Sequence, residues 1–336
     1  MSKAITTLLA LACATAVHAL PAAAQTANYK IAGHIVLPDG GWDYATFDTD
    51  SRRVYVARRT SVDAAEVDSG KVTAALATVA GGHAAVPLPG GRILATNGNA
   101  DTATFLDAKT GQVLATVATA KGPDAAIYDA KSGLAFVIAH RGGAVTFVDV
   151  AKQTAVGTVT LGGMAAEFAA VDRAGRLWVN DEEAGEIVAV DIKSRAILGR
   201  HKLDGCEGPT GLIYAPAADR LVASCDKVAA VIDPASGKIV DRLTVGDGPD
   251  AVIYDPVRKL AFVPGGQSGD LTVIDASGPK LKVLQTLKTQ VGARTGTVDP
   301  KTGKVYLPTA KMVAPASGQG RRTAAPGSVE LLVVAP

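Results

Sequence analysis

Short apolar runs separated by turn-forming residues recur along the whole chain. In one stretch three runs follow one another, at 248–255, 259–264 and 270–275, and each is ended by Gly, Pro or Asp. Runs of this length with such boundaries are typical of antiparallel strands joined by tight turns. A near copy of the same three runs stands upstream, within residues 122–149. The pattern therefore predicts an all-β protein built from an internal repeat.

The repeat period is visible in the aspartates that end the third strand of successive copies. These residues are each 42 positions apart: Asp107, Asp149, Asp191, Asp233 and Asp275. Repeats of about 40 to 45 residues with four strands each are the signature of a β-propeller blade. Aligned on their first strands, seven copies begin near Trp42, Gly82, Pro123, Ala166, Pro209, Pro249 and Ala293. The sequence predicts a seven-bladed β-propeller with four-stranded blades.

The two ends of the chain complement each other. The last repeat supplies only three strands, at 295–298, 304–307 and 328–334, whereas an unassigned strand-like stretch at 29–37 precedes the first repeat. An open sheet edge invites pairing with other chains, so the ring has to be closed. We expect 29–37 to form the outer strand of blade seven, which makes residues 25–336 one propeller domain.

Residues 1–24 have a different character. Lys3 precedes a short apolar core at 5–17, and three alanines at 22–24 stand before Gln25. This is the pattern of a cleaved secretory signal peptide, and the apolar run is too short to span a membrane. A lipid anchor at Cys13 is the alternative. The sequence predicts a periplasmic or secreted protein.

Composition narrows the classes of partner. The formal net charge is +2 and the basic residues are scattered, so no strong field for nucleic acid or an anionic membrane is implied. Aromatic residues make up 4% of the chain and glycines number 36, which suits small-residue blades with many turns. We expect a monomer with no nucleic-acid partner and no membrane span.

Two cysteines remain once the predicted signal peptide is removed, Cys206 and Cys225. In blade five the strands at 210–214 and 220–225 form a hairpin, which brings the residue before the first strand beside the end of the second. An oxidising compartment then favours a disulfide between them.

Polar side chains recur at one position of the repeat. The equivalent position at the start of the first strand is occupied by Asp43, His83, Asp124, Glu167, Thr210, Asp250 and Arg294. The innermost strands of a propeller begin around its central channel, so we call these seven residues the channel mouth. The ends of the second strands add Arg58, Asn97, His140, Asp181 and Thr309 to the same face. The loop at 310–327 is either a lid beside the mouth or a tolerated insertion.

Two interpretations of the channel mouth stand side by side. In the first, the carboxylates accept backbone N–H bonds from the next blade and are structural. In the second, the mouth binds a ligand, and Asp124, Glu167, Asp250 and His83 hold a divalent cation such as Ca²⁺ or Mn²⁺.

Each function class follows from one of these interpretations. A non-catalytic scaffold would bind a small molecule or a protein at the mouth. The alternative is a metal-dependent lyase or lactone hydrolase with His83 as general base. A redox protein with noncovalent haem or quinone is a further alternative, and the Cys-x-x-Cys-His motif of covalent haem is absent.

The repeats also resemble a known family. Second strands such as Ala-Phe-Val at 135–137 and Val-Tyr-Leu at 305–307, with third strands that end in Asp and Ser/Thr-Gly-Lys turns, resemble the YVTN repeat. A secreted chain made of such repeats is similar to the YncE-like family of bacterial propellers. The resemblance implies the propeller fold, but it brings no catalytic motif and names no cofactor or partner.

Overall fold

The computed structural model describes residues 27–163, 165–313 and 323–336. These residues form seven four-stranded antiparallel sheets, which are the blades of a β-propeller. Within this part of the chain there is no helix that could cross a membrane. The predicted fold class is confirmed. The predicted signal peptide and the central part of the 310–327 loop lie outside the described residues.

Each blade runs from an inner strand beside the channel to an outer strand at the rim. In blades one to three the strands are Ala45–Asp48, Arg53–Ala57, Ser61–Glu66 and Val72–Thr78; Ala85–Leu88, Arg92–Asn97, Thr102–Asp107 and Val113–Ala118; Pro123–Asp129, Leu134–Ala139, Ala144–Asp149 and Thr154–Thr160. In blades four to six they are Ala166–Val171, Arg176–Asp181, Glu186–Asp191 and Ile197–Lys202; Leu212–Ala215, Arg220–Cys225, Val228–Asp233 and Lys238–Thr244; Ile253–Asp255, Leu260–Gly265, Asp270–Asp275 and Lys282–Lys288.

Blade seven is assembled from both ends of the chain. Its strands, from the inner to the outer, are Thr297–Val298, Val305–Thr309, Glu330–Ala335 and the N-terminal Lys30–Val36. The outer pair is antiparallel, with Lys30 opposite Ala335 and Val36 opposite Glu330. The predicted closure of the ring is confirmed. The third strand begins two residues later than expected because Ser328 belongs to a turn, in which its N–H and hydroxyl donate to the carbonyl of Ala325.

The N-terminal strand is tied at both of its ends. The N–H and carbonyl of Tyr29 bond the side-chain amide of Gln285 in blade six, each at 2.8 Å. The Leu37 N–H donates to the Val329 carbonyl at 2.8 Å, and Ile35 is buried between blades seven and one. The strand therefore joins its blade by backbone pairing and its neighbours by packing.

The apolar core lies between the blades. The second and third strands are almost entirely buried, whereas the outer strands alternate between exposed and covered positions. In blade three, for example, Phe136 and Phe147 are both inaccessible and meet edge to face at 5.0 Å. Burial of apolar side chains on the two faces of each sheet holds neighbouring blades together.

Asp-x-x-Ser/Thr-Gly turns join the third and fourth strands. The Asp107 carboxylate accepts the backbone N–H bonds of Lys109 and Thr110 at 3.0 and 2.7 Å. Gly111 follows with φ of +73°, and a Cβ there would meet the Leu76 carbonyl oxygen of blade one at 1.7 Å. Glycine is required here by its backbone angle and by the close approach of another chain segment.

The predicted disulfide between Cys206 and Cys225 is present, with a Cα separation of 5.2 Å. Both cysteines are buried, and the bond joins the approach to blade five to the end of its second strand. The covalent link supports the hairpin beside the channel mouth.

Deletion of residues 29–37 should expose the edge of Glu330–Ala335 and leave apolar surface uncovered. We expect aggregation, or a loss of melting temperature of more than about 10 °C, measured by size-exclusion chromatography and thermal unfolding. The matched control is Ile31→Ser, at an exposed position of the same strand, which should change little. A monomeric deletion protein of unchanged stability would contradict the closure.

Reduction of the disulfide should destabilise the protein by about 3 kcal/mol, the expected value for a loop of this length. Denaturant unfolding of oxidised protein is to be compared with that of a Cys206→Ala, Cys225→Ala double variant. Thiol counting under non-reducing, denaturing conditions should find no free thiol among these two cysteines. Two free thiols in protein secreted from cells would count against the pairing.

Candidate functional site

The channel mouth is positioned by hydrogen bonds between successive blades. Six of them end on its residues or their neighbours: Tyr44 N to His83 O at 3.1 Å, Thr96 Oγ1 to Asp124 O at 3.2 Å, Asn180 Nδ2 to Thr210 O at 2.9 Å, Thr210 Oγ1 to Pro249 O at 3.0 Å, Asp250 N to Arg294 O at 3.2 Å, and Thr295 Oγ1 to Asp43 O at 2.9 Å. In each bond the donor belongs to one blade and the carbonyl to the next. The backbone at the mouth is therefore fixed.

The mouth carboxylates take no part in these inter-blade bonds. Among the described residues the carboxylate oxygens of Asp43, Glu167 and Asp250 bond to side chains rather than to backbone N–H groups. The structural interpretation of these carboxylates, as backbone caps of the next blade, does not describe their contacts. A structural role does describe Thr210, because its hydroxyl donates to the Pro249 carbonyl of the next blade. The same hydroxyl contacts Ser224 Oγ at 3.1 Å.

His83 stands between two carboxylates. Its Nδ1 atom lies 2.7 Å from Asp43 Oδ2 and 3.1 Å from Asp124 Oδ1. The hydrogen bond to Asp43 raises the pKa of His83, and the charge of Asp124 acts in the same direction although burial opposes both. His83 is therefore biased toward the imidazolium form, which is the opposite of what a general base at neutral pH requires.

Arg294 is the only guanidinium of the mouth. Its Nε atom donates to Asp250 Oδ2 at 2.6 Å, and its Nη2 atom lies 3.9 Å from Asp43 Oδ1. Asp43 is thus in reach of both His83 and Arg294 and links blades one, two and seven.

Two of the carboxyl groups have strongly raised pKa values. Burial raises the pKa of Asp124 to about 7, and the charges of Glu167 and Asp43 add to this rise although His83 opposes it. Burial raises the pKa of Asp250 to about 6. The charge of Arg294 lowers this pKa, and the charges of Asp43 and Glu167 offset part of that lowering. The cations present at the mouth do not balance its carboxylates.

An aromatic pair lies beneath the mouth. Tyr44 of blade one packs against Phe168 of blade four with ring centroids 5.1 Å apart. The Tyr44 hydroxyl is buried and has no hydrogen-bond partner among the described residues. Burial raises the pKa of Tyr44 well above its usual value, and the charges of Asp250, Glu167, Asp43 and Asp124 raise it further. The charges of four mouth carboxylates therefore act on this buried hydroxyl.

A second group of side chains adjoins the mouth. His140 Nδ1 lies 2.8 Å from Glu167 Oε2, and one ligand atom from each of His140, Glu167 and Glu182 lies within 4.8 Å of the others. We call these three residues the His140 cluster. The hydrogen bond to Glu167 raises the pKa of His140, whereas burial and the Glu167 charge raise that of Glu182.

The cluster differs from the predicted metal ligands. Glu167 belongs to both sets, but no group containing Asp124, Asp250 or His83 meets the same distance condition among the described residues. Glu182 was missed because the prediction took Asp181, the last residue of the second strand of blade four; the next position is occupied by His140 in blade three, Glu182 in blade four and Asp226 in blade five.

Three of the five second-strand ends have structural hydrogen bonds, and the hydroxyl of a fourth, Thr309, is buried without a partner among the described residues. The Arg58 guanidinium bonds Asp63 at 2.7 Å and the carbonyls of Pro38, Gly40 and Gly41. Asn97 bonds Ala80 N and two threonine hydroxyls, and Asp181 accepts the Ala184 N–H. Thr309 is fully buried. Only His140 contributes a side chain to the site.

A groove runs along the mouth face. Cavities of about 490 and 500 Å³ share Gly292, Arg294 and Met312, and a third of about 360 Å³ shares Gly248 and Gln267 with the second. Trp42 lines one end of this groove and Glu182 the other. The groove, which we call the mouth groove, leads from Trp42 past Arg294 of the channel mouth to Glu182 of the His140 cluster.

No protein-family model and no curated protein sequence matches the chain, so the resemblance to the YncE-like family stays a prediction. Among solved structures the chain is similar to hydrazine synthase of Kuenenia stuttgartiensis, with TM-score 0.70, 14% identity, and coverage of 82% of this chain and 94% of that one. A chain of a mitotic checkpoint complex is similar with TM-score 0.71 and 16% identity, over 98% of this chain and 99% of that one. Streptogramin B lyase is similar with TM-score 0.71 and 14% identity, over 91% of this chain and 97% of that one. At identities this low the structural similarity shows a shared propeller fold alone. That fold is compatible with an enzyme or with a scaffold.

Proposed function

We propose that the protein is an exported binding propeller that takes a small, positively charged ligand at its channel mouth. The observation that carries the proposal is the excess of acidic groups. Asp43, Asp124, Glu167, Glu182 and Asp250 are grouped with one arginine and two histidines. The ligand is an inorganic cation or an organic ammonium group.

The electrostatics of the mouth favour the binding of such a ligand. Burial disfavours the ionised form of a carboxyl group, and like charges at close range add to the effect. Here the result is that Asp124 and Asp250 hold their protons more tightly than ordinary carboxyl groups. A bound cation offsets the repulsion, so cation binding and proton release are coupled.

The Tyr44 hydroxyl supports a ligand at the axis. A buried hydroxyl without a partner costs about 1 to 3 kcal/mol. Tyr44 is such a group, and the charges of four mouth carboxylates act on it. A ligand or water held by Asp250 and Glu167 would supply the missing hydrogen bond.

The exported location belongs to the proposal as well. It is supported by the signal-peptide pattern of residues 1–24 and by the disulfide, because such bonds persist in oxidising compartments. The resemblance to the YncE-like family agrees with both.

A metal-dependent lyase or lactone hydrolase is the second candidate. It is favoured by one observation, the contact of Asp124 Oδ1 with His83 Nδ1 at 3.1 Å. A carboxyl group whose pKa is about 7 exchanges its proton readily at neutral pH. In this version Asp124, rather than His83, is the acid and base of the site.

Replacement of Asp124 or Asp250 by Asn should weaken binding of the cation at the channel mouth and leave the fold intact, because each change removes a charge but no apolar packing. The measurement is calorimetric titration with Ca²⁺, Mn²⁺ and putrescine at pH 7.5. We expect wild-type protein to bind at least one of them, and each variant to bind it at least tenfold more weakly.

The matched control is Glu183→Gln, an exposed carboxylate beside the site, which should bind as wild type does. Thr210→Ala should lower the melting temperature without weakening binding, since the Thr210 hydroxyl serves an inter-blade bond. The proposal is wrong if none of the three probes binds wild-type protein.

Binding should strengthen as pH rises from 5 to 7 and level off above. Below its pKa of about 7 Asp124 must lose a proton to meet a cation, so the dissociation constant should fall by up to about tenfold per pH unit. Without ligand the melting temperature should decline over the same interval. The raised pKa values of Asp124 and His83 both act in this direction, because the folded protein binds protons at these two residues more tightly than the unfolded chain does.

Asp124→Asn should flatten the pH dependence of the melting temperature of the ligand-free protein. A wild-type melting temperature that rises between pH 5 and 7 would show that the carboxylates are already compensated.

A further inference from the structure

The His140 cluster joins three separate parts of the chain at one point. His140 follows the second strand of blade three, Glu167 lies in the first strand of blade four, and Glu182 stands in the turn after the second strand of blade four. The Glu182 N–H donates to the Ala165 carbonyl at 2.9 Å, and the Glu182 carbonyl accepts the Gly185 N–H at 3.3 Å. The three side chains are therefore carried by hydrogen-bonded backbone at the ends of strands.

Glu182 lacks the contacts that would make it structural. The hydrogen bonds and ion pairs of the described residues include none to its carboxylate, although it is half-buried and close to Glu167 and His140. Two carboxylates brought together without a cation between them repel each other. The Glu182 carboxylate thus has no hydrogen bond or ion pair among the described residues, and it is available to a bound cation.

A second, independent feature faces the same carboxylate. The Tyr44 side chain is 6% exposed, its hydroxyl has no partner among the described residues, and Glu167 is the second largest of the charges that act on it. A buried polar group of this kind calls for a bound atom or molecule on its open side. Glu167 therefore contacts His140 and lies close to Glu182, and its charge also acts on the unpartnered hydroxyl of Tyr44.

We propose that His140, Glu167 and Glu182 bind a divalent first-row transition metal, with Zn²⁺ bound more tightly than Mn²⁺. An imidazole nitrogen and two carboxylate oxygens form a donor set that zinc accepts, and a nitrogen donor distinguishes it from the all-oxygen set that Ca²⁺ prefers. For mixed nitrogen and oxygen sites affinity rises from Mn²⁺ to Zn²⁺. The inference rests on the proposed function, since it adds a transition metal with its own donors at the edge of the mouth whose ligand Asp124 and Asp250 hold.

Three protein ligands leave coordination positions open. Glu182 lines the 360 Å³ section of the mouth groove together with Glu207, Asp226 and Gln267. A metal at the cluster therefore has access to the groove, and water or an oxygen atom of a small molecule can complete its shell. Open positions of this kind are characteristic of catalytic rather than structural zinc sites.

The test is titration of metal-free protein with Zn²⁺, Mn²⁺ and Ca²⁺ at pH 7.5, followed by calorimetry and by metal analysis after gel filtration. Wild-type protein should retain one Zn²⁺ per chain and bind it at least tenfold more tightly than Mn²⁺, with Ca²⁺ weakest. His140→Ala and Glu182→Gln should each weaken Zn²⁺ binding by at least tenfold. Glu183→Gln, one residue away and exposed, should bind Zn²⁺ as wild type does.

Glu182→Gln keeps the test valid should His140→Ala fail to fold, because Glu182 loses no protein contact on substitution. Unchanged Zn²⁺ binding in folded Glu182→Gln protein overturns the inference, and so does wild-type protein that binds no Zn²⁺.

The two proposals fail in different ways. Asp250→Asn removes a mouth carboxylate outside the cluster and should leave Zn²⁺ bound. Loss of Zn²⁺ binding in Asp250→Asn with retention in Glu182→Gln would place the metal at the axis, which overturns the inference and leaves the proposed function standing. Binding of putrescine without any binding of Zn²⁺ has the same consequence.

Discussion

The site depends on the hydrogen bonds to mouth carbonyls that join six of the seven pairs of neighbouring blades among the described residues. Thr96, Asn180, Thr210 and Thr295 each donate a side-chain hydrogen across a blade boundary. These bonds lie where the sheets are closest to the axis, so a small rotation of one blade would break them. Because the N-terminal strand closes blade seven, the set of bonds returns from blade seven to Asp43 in blade one.

This arrangement separates the roles of backbone and side chain at the mouth. The carbonyls of His83, Asp124 and Arg294 join blades, and their side chains are left to interact with one another. Carboxylates are thereby held close together by a frame that does not need their charge. Burial is the main cause of the raised pKa values of Asp124 and Asp250, and the repulsion between the carboxylates adds to it.

The periodic sequence predicted the fold down to the closing strand and the disulfide, because strand length, turn residues and a constant period are local signals. It also predicted which residues face the mouth, since equivalent repeat positions occupy equivalent places. The hydrogen-bond partners of the mouth side chains were harder to predict. The Nδ1 of His83 meets two carboxylates, which depends on side-chain rotamers. Glu182 occupies the repeat position of His140, 42 residues further on and directly after the second strand, so the repeat did signal it; the prediction took the preceding residue, Asp181, instead.

The central claim is that the mouth carries more negative charge than its own arginine and histidines balance. Carbon-13 NMR titration of the aspartate carboxyl groups, with Asp124→Asn used to assign the Asp124 signal, measures this most directly. We predict an Asp124 pKa of about 7 in ligand-free protein and a clear decrease when a saturating cation is added. An Asp124 pKa near the ordinary value of about 4 in ligand-free protein would contradict the account.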